Sequence, residues 1–398
     1  MTAAFIAASA AALIMNRNHS VTHKTEVFAE GMGNRDIMIM CLVFILAGIF
    51  TASAKAAGGI DAAVSITLYF VPSEFLIAGI FVVSALISLA IGTSCGTIAA
   101  IVPIATSLAL SVHMDVGIVI GAAVGGAMFG DNLSLISDTT IAATRTQGAT
   151  MQDKMLGNLK IVLIPALLCT LLYMLPIFSS FEETPFISSI SWHDFVKIFP
   201  YLLLLGLGIY GVNVMTLLLI GTILNIMIGL YYGTIDGTSA IATLGDGALN
   251  MSETLIIALL AGGLLALVRF NGGIEFLLSM AKRWVKGHRS CEAVLCLLVG
   301  TINLFTANNT VAIITSGSVA REIAQQHGIS PQRSACLLDT MSCVIQGIIP
   351  YGAQILIATG LSTAANLSPI NIMMGLFYPL LMALGLLSSI LFHKTAKE

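Results

Sequence analysis

YLLLLGLGIYGVNVMTLLLIGTILNIMIGLYY, residues Tyr201–Tyr232, contains no charged side chain. A helix needs roughly 20 apolar residues to cross the hydrocarbon core of a bilayer, and this run exceeds that length. Tyr210-Gly211-Val212-Asn213 offers a turn near its middle, so the stretch reads as two spans. Ile161–Phe178 and Ile372–Phe392 are likewise free of charge. Backbone amides inside a bilayer must be paired within the chain, which leaves helices or a closed barrel. The apolar runs are continuous and not alternating, which selects helices. Composition agrees, because only 9% of the 398 residues are charged. A soluble domain carries about 25% and uses them to cover its surface.

Spans are expected at about 1–15, 37–54, 116–146, 155–178, 196–212, 213–232, 252–268, 331–360 and 371–392. Segments 74–111 and 290–326 each flank a polar tip, Thr93–Thr97 and Thr306–Thr310, and read as re-entrant hairpins. Gly58–Val71 and Gly272–Gly287 combine apolar residues with a few charges and read as amphipathic helices along the membrane surface. Met1–Met15 is apolar but short, and reads as a span whose preceding part is absent from this chain. The seven cysteines form no CxxC pair or Cys/His cluster and read as buried small residues.

The basic residues divide unevenly across these spans. One side receives Arg17, Lys24, Arg35, Arg145, Lys154, Lys160, Arg269, Lys282, Arg283, Lys286, Arg289, Arg321, Arg333, Lys394 and Lys397; the other receives Lys55 and Lys197. The first side is therefore cytoplasmic by the positive-inside rule. The acidic stretches Glu182–Glu183 and Asp236–Asp246 then read as loops on the outside. Lys55 and Arg269 lie at membrane edges, where long basic side chains reach water. Glu74 and Glu275 read as surface residues.

The chain is internally repeated. Lys55-Ala56-Ala57-Gly58-Gly59-Ile60-Asp61 matches Arg269-Phe270-Asn271-Gly272-Gly273-Ile274-Glu275, and Ala47-Gly48 matches Ala261-Gly262 at the same spacing. Thr93-Ser94-Cys95-Gly96-Thr97 pairs with Thr306-Ala307-Asn308-Asn309-Thr310, and the polar break Asp131–Asp138 with Gly347–Gln354. With two spans in Tyr201–Tyr232, an odd number of crossings separates the copies, so they run oppositely through the membrane. This gives an all-α polytopic membrane protein of inverted repeats, with two re-entrant hairpins and two interrupted helices. Residues 1–36 form an N-terminal helix and cytoplasmic loop, 37–180 the first repeat, 181–251 connecting helices, and 252–398 the second repeat. Inverted repeats with interrupted helices near the midplane are a secondary-transporter arrangement.

Four polar interruptions carry the chemistry: 92–97, 130–140, 303–310 and 347–354. Gly and Pro release backbone groups from helical pairing, and Ser, Thr, Asn and Asp cap the freed ends. Such backbone is tolerated at membrane depth only inside protein or around a polar cavity. Asp131, Asp138 and Asp339 stand in otherwise apolar segments. An ionised Asp near the bilayer centre costs at least roughly 2.5–3.5 kcal/mol, so it is retained when paired, protonated or bound to a cation. Burial favours the protonated carboxyl and a bound cation favours the carboxylate, so one such group can exchange a proton for a sodium ion. His113, His193, His288 and His327 lie at predicted ends or loops without metal-site spacing, which argues against a membrane enzyme.

Phe129-Gly130-Asp131-Asn132-Leu133-Ser134-Leu135-Ile136-Ser137-Asp138-Thr139-Thr140 resembles the GD-x-x-S-x-x-SDTT signature of NhaC-type sodium/proton antiporters, within the ion-transporter superfamily. Ile349-Pro350-Tyr351-Gly352 resembles that family's I-P-W-G segment, with Tyr in place of Trp, and Leu135 stands where many members have Pro. The resemblance implies cation coupling. Asp131 and Asp138 are expected to bind sodium or protons, with Ser134, Ser137, Thr139 and Asp339 assisting. Thr93, Ser94, Thr97, Asn308, Asn309, Thr310 and Gln354 are expected along the substrate pathway. The family also includes carriers of organic acids and amino acids, so an organic solute is the alternative cargo. No cofactor is implied beyond the transported sodium and proton, and no nucleic acid. A homodimer in the cytoplasmic membrane is expected.

Overall fold

The computed structural model describes residues 2–15, 18–135, 137–175, 190–210 and 212–392. Arg17, Glu182–Glu183, Lys394 and Lys397, used above to orient the chain, and Gly211 in the turn lie outside the described residues. The described residues form helices and no strand. In the first half these are α1 (Thr2–Ile14), α2 (Val21–Met32), α3 (Arg35–Ala56), α4 (Gly59–Phe70), α5 (Leu76–Ile91), α6 (Ser94–Ser111), α7 (Val116–Leu133), α8 (Asp138–Gln147), α9 (Met151–Tyr173) and α10 (Trp192–Ile209). The second half contributes α11 (Val214–Tyr232), α12 (Gly237–Leu249), α13 (Ser252–Phe270), α14 (Gly273–Trp284), α15 (His288–Thr306), α16 (Asn309–Gln326), α17 (Pro331–Ile348), α18 (Ala353–Leu361), α19 (Pro369–Gly375) and α20 (Tyr378–Leu391). Eight segments among the described residues are long and apolar enough to cross a membrane; α19 and α20, bent by 54° at their junction, make a ninth. The chain is a multi-pass membrane protein.

Tyr201–Tyr232 does divide into two helices, the end of α10 and all of α11, and they pack on each other. Asn213 caps α11 by accepting from Met215 N at 2.9 Å. The ends of other helices carry similar caps. Asp115 accepts from Ile118 N at the start of α7, and Ser330 precedes Pro331 at the first position of α17.

Elements of equal length recur through the chain. The 18-residue α6 begins at Ser94 and the 18-residue α16 at Asn309; the 18-residue α7 begins at Val116 and the 18-residue α17 at Pro331. Each second-half start lies 215 positions after its first-half counterpart. Local geometry repeats with them. Gly58 and Gly272 have φ/ψ of 76°/16° and 75°/15°, in the left-handed region open to glycine. Ser88 Oγ donates to Ala127 O at 2.6 Å, and at the equivalent positions Asn303 Nδ2 donates to Ser342 O at 2.8 Å.

This spacing corrects the alignment of the hairpin tips. Matching Thr93 to Thr306 pairs like side chains, but the turn is set by backbone. The left-handed residues are Gly92 and Ala307, followed by extended Thr93 and Asn308, so the true partners lie two residues further along.

The first helices of each half are exchanged. Helices α1 and α2 pack on α13, whereas α11 and α12 pack on α3. The crossings use the same small residues: a Cβ on Gly31 would overlap Gly262 O and Ala266, and one on Gly247 would overlap Gly48 O and Ala52. Residues 237–249, expected in an external acidic loop, are thus a packed helix. Asp236 caps it with a capping box to Ser239, and its glycines are a contact surface, not a loop signal.

Candidate functional site

Both hairpin tips and both helix breaks meet around one cavity of about 330 Å³. At the first tip α5 ends on left-handed Gly92, Thr93 is extended, and α6 restarts at Ser94. At the first break α7 ends at Leu133. Ser134 N donates back to Gly130 O and Asp131 O, and Ser134 O accepts from Thr140 Oγ1 at 2.8 Å. Helix α8 restarts at Asp138, whose carboxylate in the first turn complements the helix dipole. At the second tip Asn308 accepts from Val311 N at 3.0 Å and caps α16. The second break closes with extended Gly352 before α18.

Asp131 is the centre of a bonded chain of polar side chains. Its Oδ2 accepts from Ser94 Oγ at 2.7 Å, and its Oδ1 from Ser137 Oγ at 2.6 Å. Ser137 pairs with Thr139 at 3.0 Å. Gln354 Nε2 donates to Ser94 Oγ at 3.0 Å, which joins the second break to the first tip. At the spacing of 215 that aligns the tips, Asp131 corresponds to Gln346 and not to Gly347, and Gln346 Nε2 donates to Ala307 O at the second tip, 2.8 Å away. Each break residue therefore holds the tip of its own hairpin. Gln346 Oε1 and Gln354 Oε1 are buried without a partner among the described residues.

Ten of the thirteen sequence-expected residues line this cavity: Asp131, Asp138, Ser137, Thr139, Thr93, Ser94, Asn308, Asn309, Thr310 and Gln354. Asp138 is the exposed carboxylate of the pair and Asp131 the buried one. Thr97 is buried one turn deeper and donates to Thr93 O; Ser134 is buried at the end of α7. Asp339 lies outside the cavity wall. It is fully buried, and its Oδ2 meets Lys154 Nζ at 2.5 Å.

Lys154 was expected among the cytoplasmic charges and is instead buried within α9. Lys24 is also buried, donating to Met15 O. Removing both leaves the charge bias strongly one-sided. The sequence did hold a signal for Lys154: Asn158 follows it by one helical turn, so two polar groups share a face of an apolar helix. That face meets α17 where a Cβ on Gly157 would touch Cys336 Sγ. Asn132 and Asn158 complete the cluster, each donating to Asp339 Oδ2 at 2.9 Å.

Residues 1–176 match the model of the Na+/H+ antiporter family, a stretch that includes Asp131 and Asp138. The crystal structure of the Alcanivorax borkumensis YdaH transporter, described as having an unusual topology, is similar with a TM-score of 0.44 at 15% identity. The similarity covers 87% of this chain and 84% of that one. No curated protein matches the chain. The family resemblance read from the GD-x-x-S-x-x-SDTT motif agrees with this match over residues 1–176.

Proposed function

We propose that this chain, whose first 176 residues match the Na+/H+ antiporter family, exchanges sodium for protons by alternating access. The observation that carries the proposal is the placement of Asp131 and Asp138 together on the cavity where both tips and both breaks converge. Asp131 is held by two hydroxyls and Asp138 faces the open space. Carboxylates and hydroxyls are the oxygen donors a small hard cation needs, and the same carboxylates can carry protons when the cation leaves.

Alternating access needs a wall that can slide. The α3 side of the cavity is Ile39, Met40, Val43 and Phe44, apolar side chains that make no hydrogen bonds to the polar tips. In this reading the hairpins and breaks move together against the crossed pairs around α3 and α13, and the two halves have opposite membrane orientation.

In proteoliposomes with an imposed sodium gradient, Asp138→Asn is expected to lower sodium-driven pH change by about two orders of magnitude, because the titrating group is gone. Asp138→Glu should retain part of the activity. Full exchange by Asp138→Asn would remove this residue from the mechanism.

A second reading draws on the cavity's size. Its volume is roughly ten times the ~30 Å³ share of one water, which leaves room for an organic solute moved with the cation. The unpartnered oxygens of Gln346 and Gln354 would accept donors from such a solute. Thermal stabilisation by members of a panel of organic acids and amino acids, dependent on sodium, would favour this reading over simple exchange.

A further inference from the structure

The Lys154–Asp339 cluster lies outside the cavity, and exchange at Asp131 and Asp138 makes no use of it. Both side chains are completely buried. An ammonium has three N–H groups, and here each meets an oxygen: Asp339 Oδ2 at 2.5 Å, Asn132 O at 2.7 Å and Thr140 Oγ1 at 2.7 Å. These oxygens come from three sources. Asn132 is in the last turn of α7 before the break, Thr140 is in α8 after it, and Asp339 is in α17. A carboxylate, a carbonyl beside unwound backbone and a hydroxyl form the donor set with which interrupted membrane helices hold hard cations. Lys154, on α9, supplies the positive charge through a covalent tether.

We propose that the Lys154 ammonium is a tethered cation filling a built cation site at the first helix break, and that removing it leaves a site for a free monovalent cation. The second half supports the assignment by contrast. At the positions 215 further on, Thr140 is replaced by Ile355 and Lys154 by Pro369; Asp339 itself corresponds to Val124 in the first half. Ammonium, hydroxyl and carboxylate are thus all missing from the other break, as expected if each is present for the others. The neighbouring amides add to the site. Asn132 Nδ2 and Asn158 Nδ2 both donate to the same Asp339 Oδ2, while Asp339 Oδ1 has no partner among the described residues. The carboxylate is thus fixed in orientation toward Nζ by groups that cannot neutralise it.

Two consequences follow. Asp339 is neutralised from within, so Asp131 and Asp138 are the carboxylates left to the solute. The break is also stapled across its two ends to α9 and α17, so α7, α8, α9 and α17 move as one body in any conformational change. Neither consequence depends on which solute is carried.

The test is thermal melting of purified Lys154→Ala in choline, sodium and ethylammonium chloride. Choline is bulky and has no N–H to donate. In choline the variant is expected to melt roughly 10 °C below the parent, since it buries an unpaired carboxylate. Sodium or ethylammonium should restore several degrees beyond any gain seen in the parent. That extra gain should persist in Lys154→Ala/Asp138→Asn, which alters the cavity, and vanish in Lys154→Ala/Asp339→Asn. If Lys154→Ala does not survive solubilisation in choline, recovery of folded protein in ethylammonium becomes the readout. Absence of any extra cation-dependent gain or recovery overturns the proposal, as does a gain that survives Asp339→Asn.

Discussion

Asp131→Asn abolishes exchange while leaving the protein folded; that is the expected result, with transport reduced by at least about two orders of magnitude. The geometry separates the two effects. Asp131 accepts one hydroxyl on each oxygen, from Ser94 and Ser137. Asparagine keeps one acceptor and gains donors where the other oxygen was. Ser137 can rotate its hydroxyl to accept from the new amide and turn its proton toward Thr139, 3.0 Å away, while Ser94 goes on donating to the remaining oxygen. The bonded chain from Gln354 through Ser94 to Thr139 therefore survives, with the Ser137 link reversed, and melting temperature should change little. What is lost is the ionisable group, the one buried carboxylate on the cavity wall. Sodium-driven pH change in proteoliposomes, read beside a melting curve, checks both parts. A transport-competent Asp131→Asn would place the cation elsewhere, and a collapsed one would make Asp131 a structural cap of the break.

The second large effect lies in packing. Gly126→Leu is expected to prevent assembly of the transport region, with Gly126→Ala lowering the melting temperature by on the order of 10 °C. Helices α5 and α7 meet backbone to backbone there: a Cβ on Gly126 would overlap Phe81 O and stand 3.0 Å from Ser84 Cβ. One turn later a Cβ on Gly130 would stand 2.7 Å from Ser88 Cβ. Between them Ser88 donates to Ala127 O at 2.6 Å, a bond that only this close approach permits. Small residues are how membrane helices approach each other, since lipid gives no hydrophobic drive to associate. Because α7 carries Asp131 and α5 carries the hairpin tip, separating them also dismantles the site. Gly79→Leu on α5 is the control, as a Cβ there meets nothing within 4 Å. Detergent-solubilised yield and size-exclusion profile are the measurements. A monodisperse, transport-active Gly126→Leu would refute the packing account.

Most of the polar cavity-lining residues were readable one by one. Asp131, Ser137, Asp138 and Thr139 lie within nine positions, and polar residues in an apolar background stand out in any window. Thr93–Ser94 and Asn308–Thr310 were legible for the same reason, although their mutual register was not. Side-chain likeness placed Thr93 opposite Thr306, whereas the turn answers to the left-handed backbone of Gly92 and Ala307. Helix α12 was missed because its glycines and acids look like a loop until Gly247 is seen seated on Gly48.

The role of Asp339 shows where local reading ends. Its partner Lys154 is 185 positions away in sequence, near the start of an apolar run where a lysine ordinarily marks the membrane edge. Hydropathy and break-forming residues act over a turn or two of helix, so the sequence by itself determined the helical membrane class, the positions of the breaks and the carboxylates beside them. Which carboxylate faces the cavity and which faces a buried ammonium was decided only by the tertiary structure. Burial and pairing are properties of surfaces brought together from both halves of the chain, and no local window contains them.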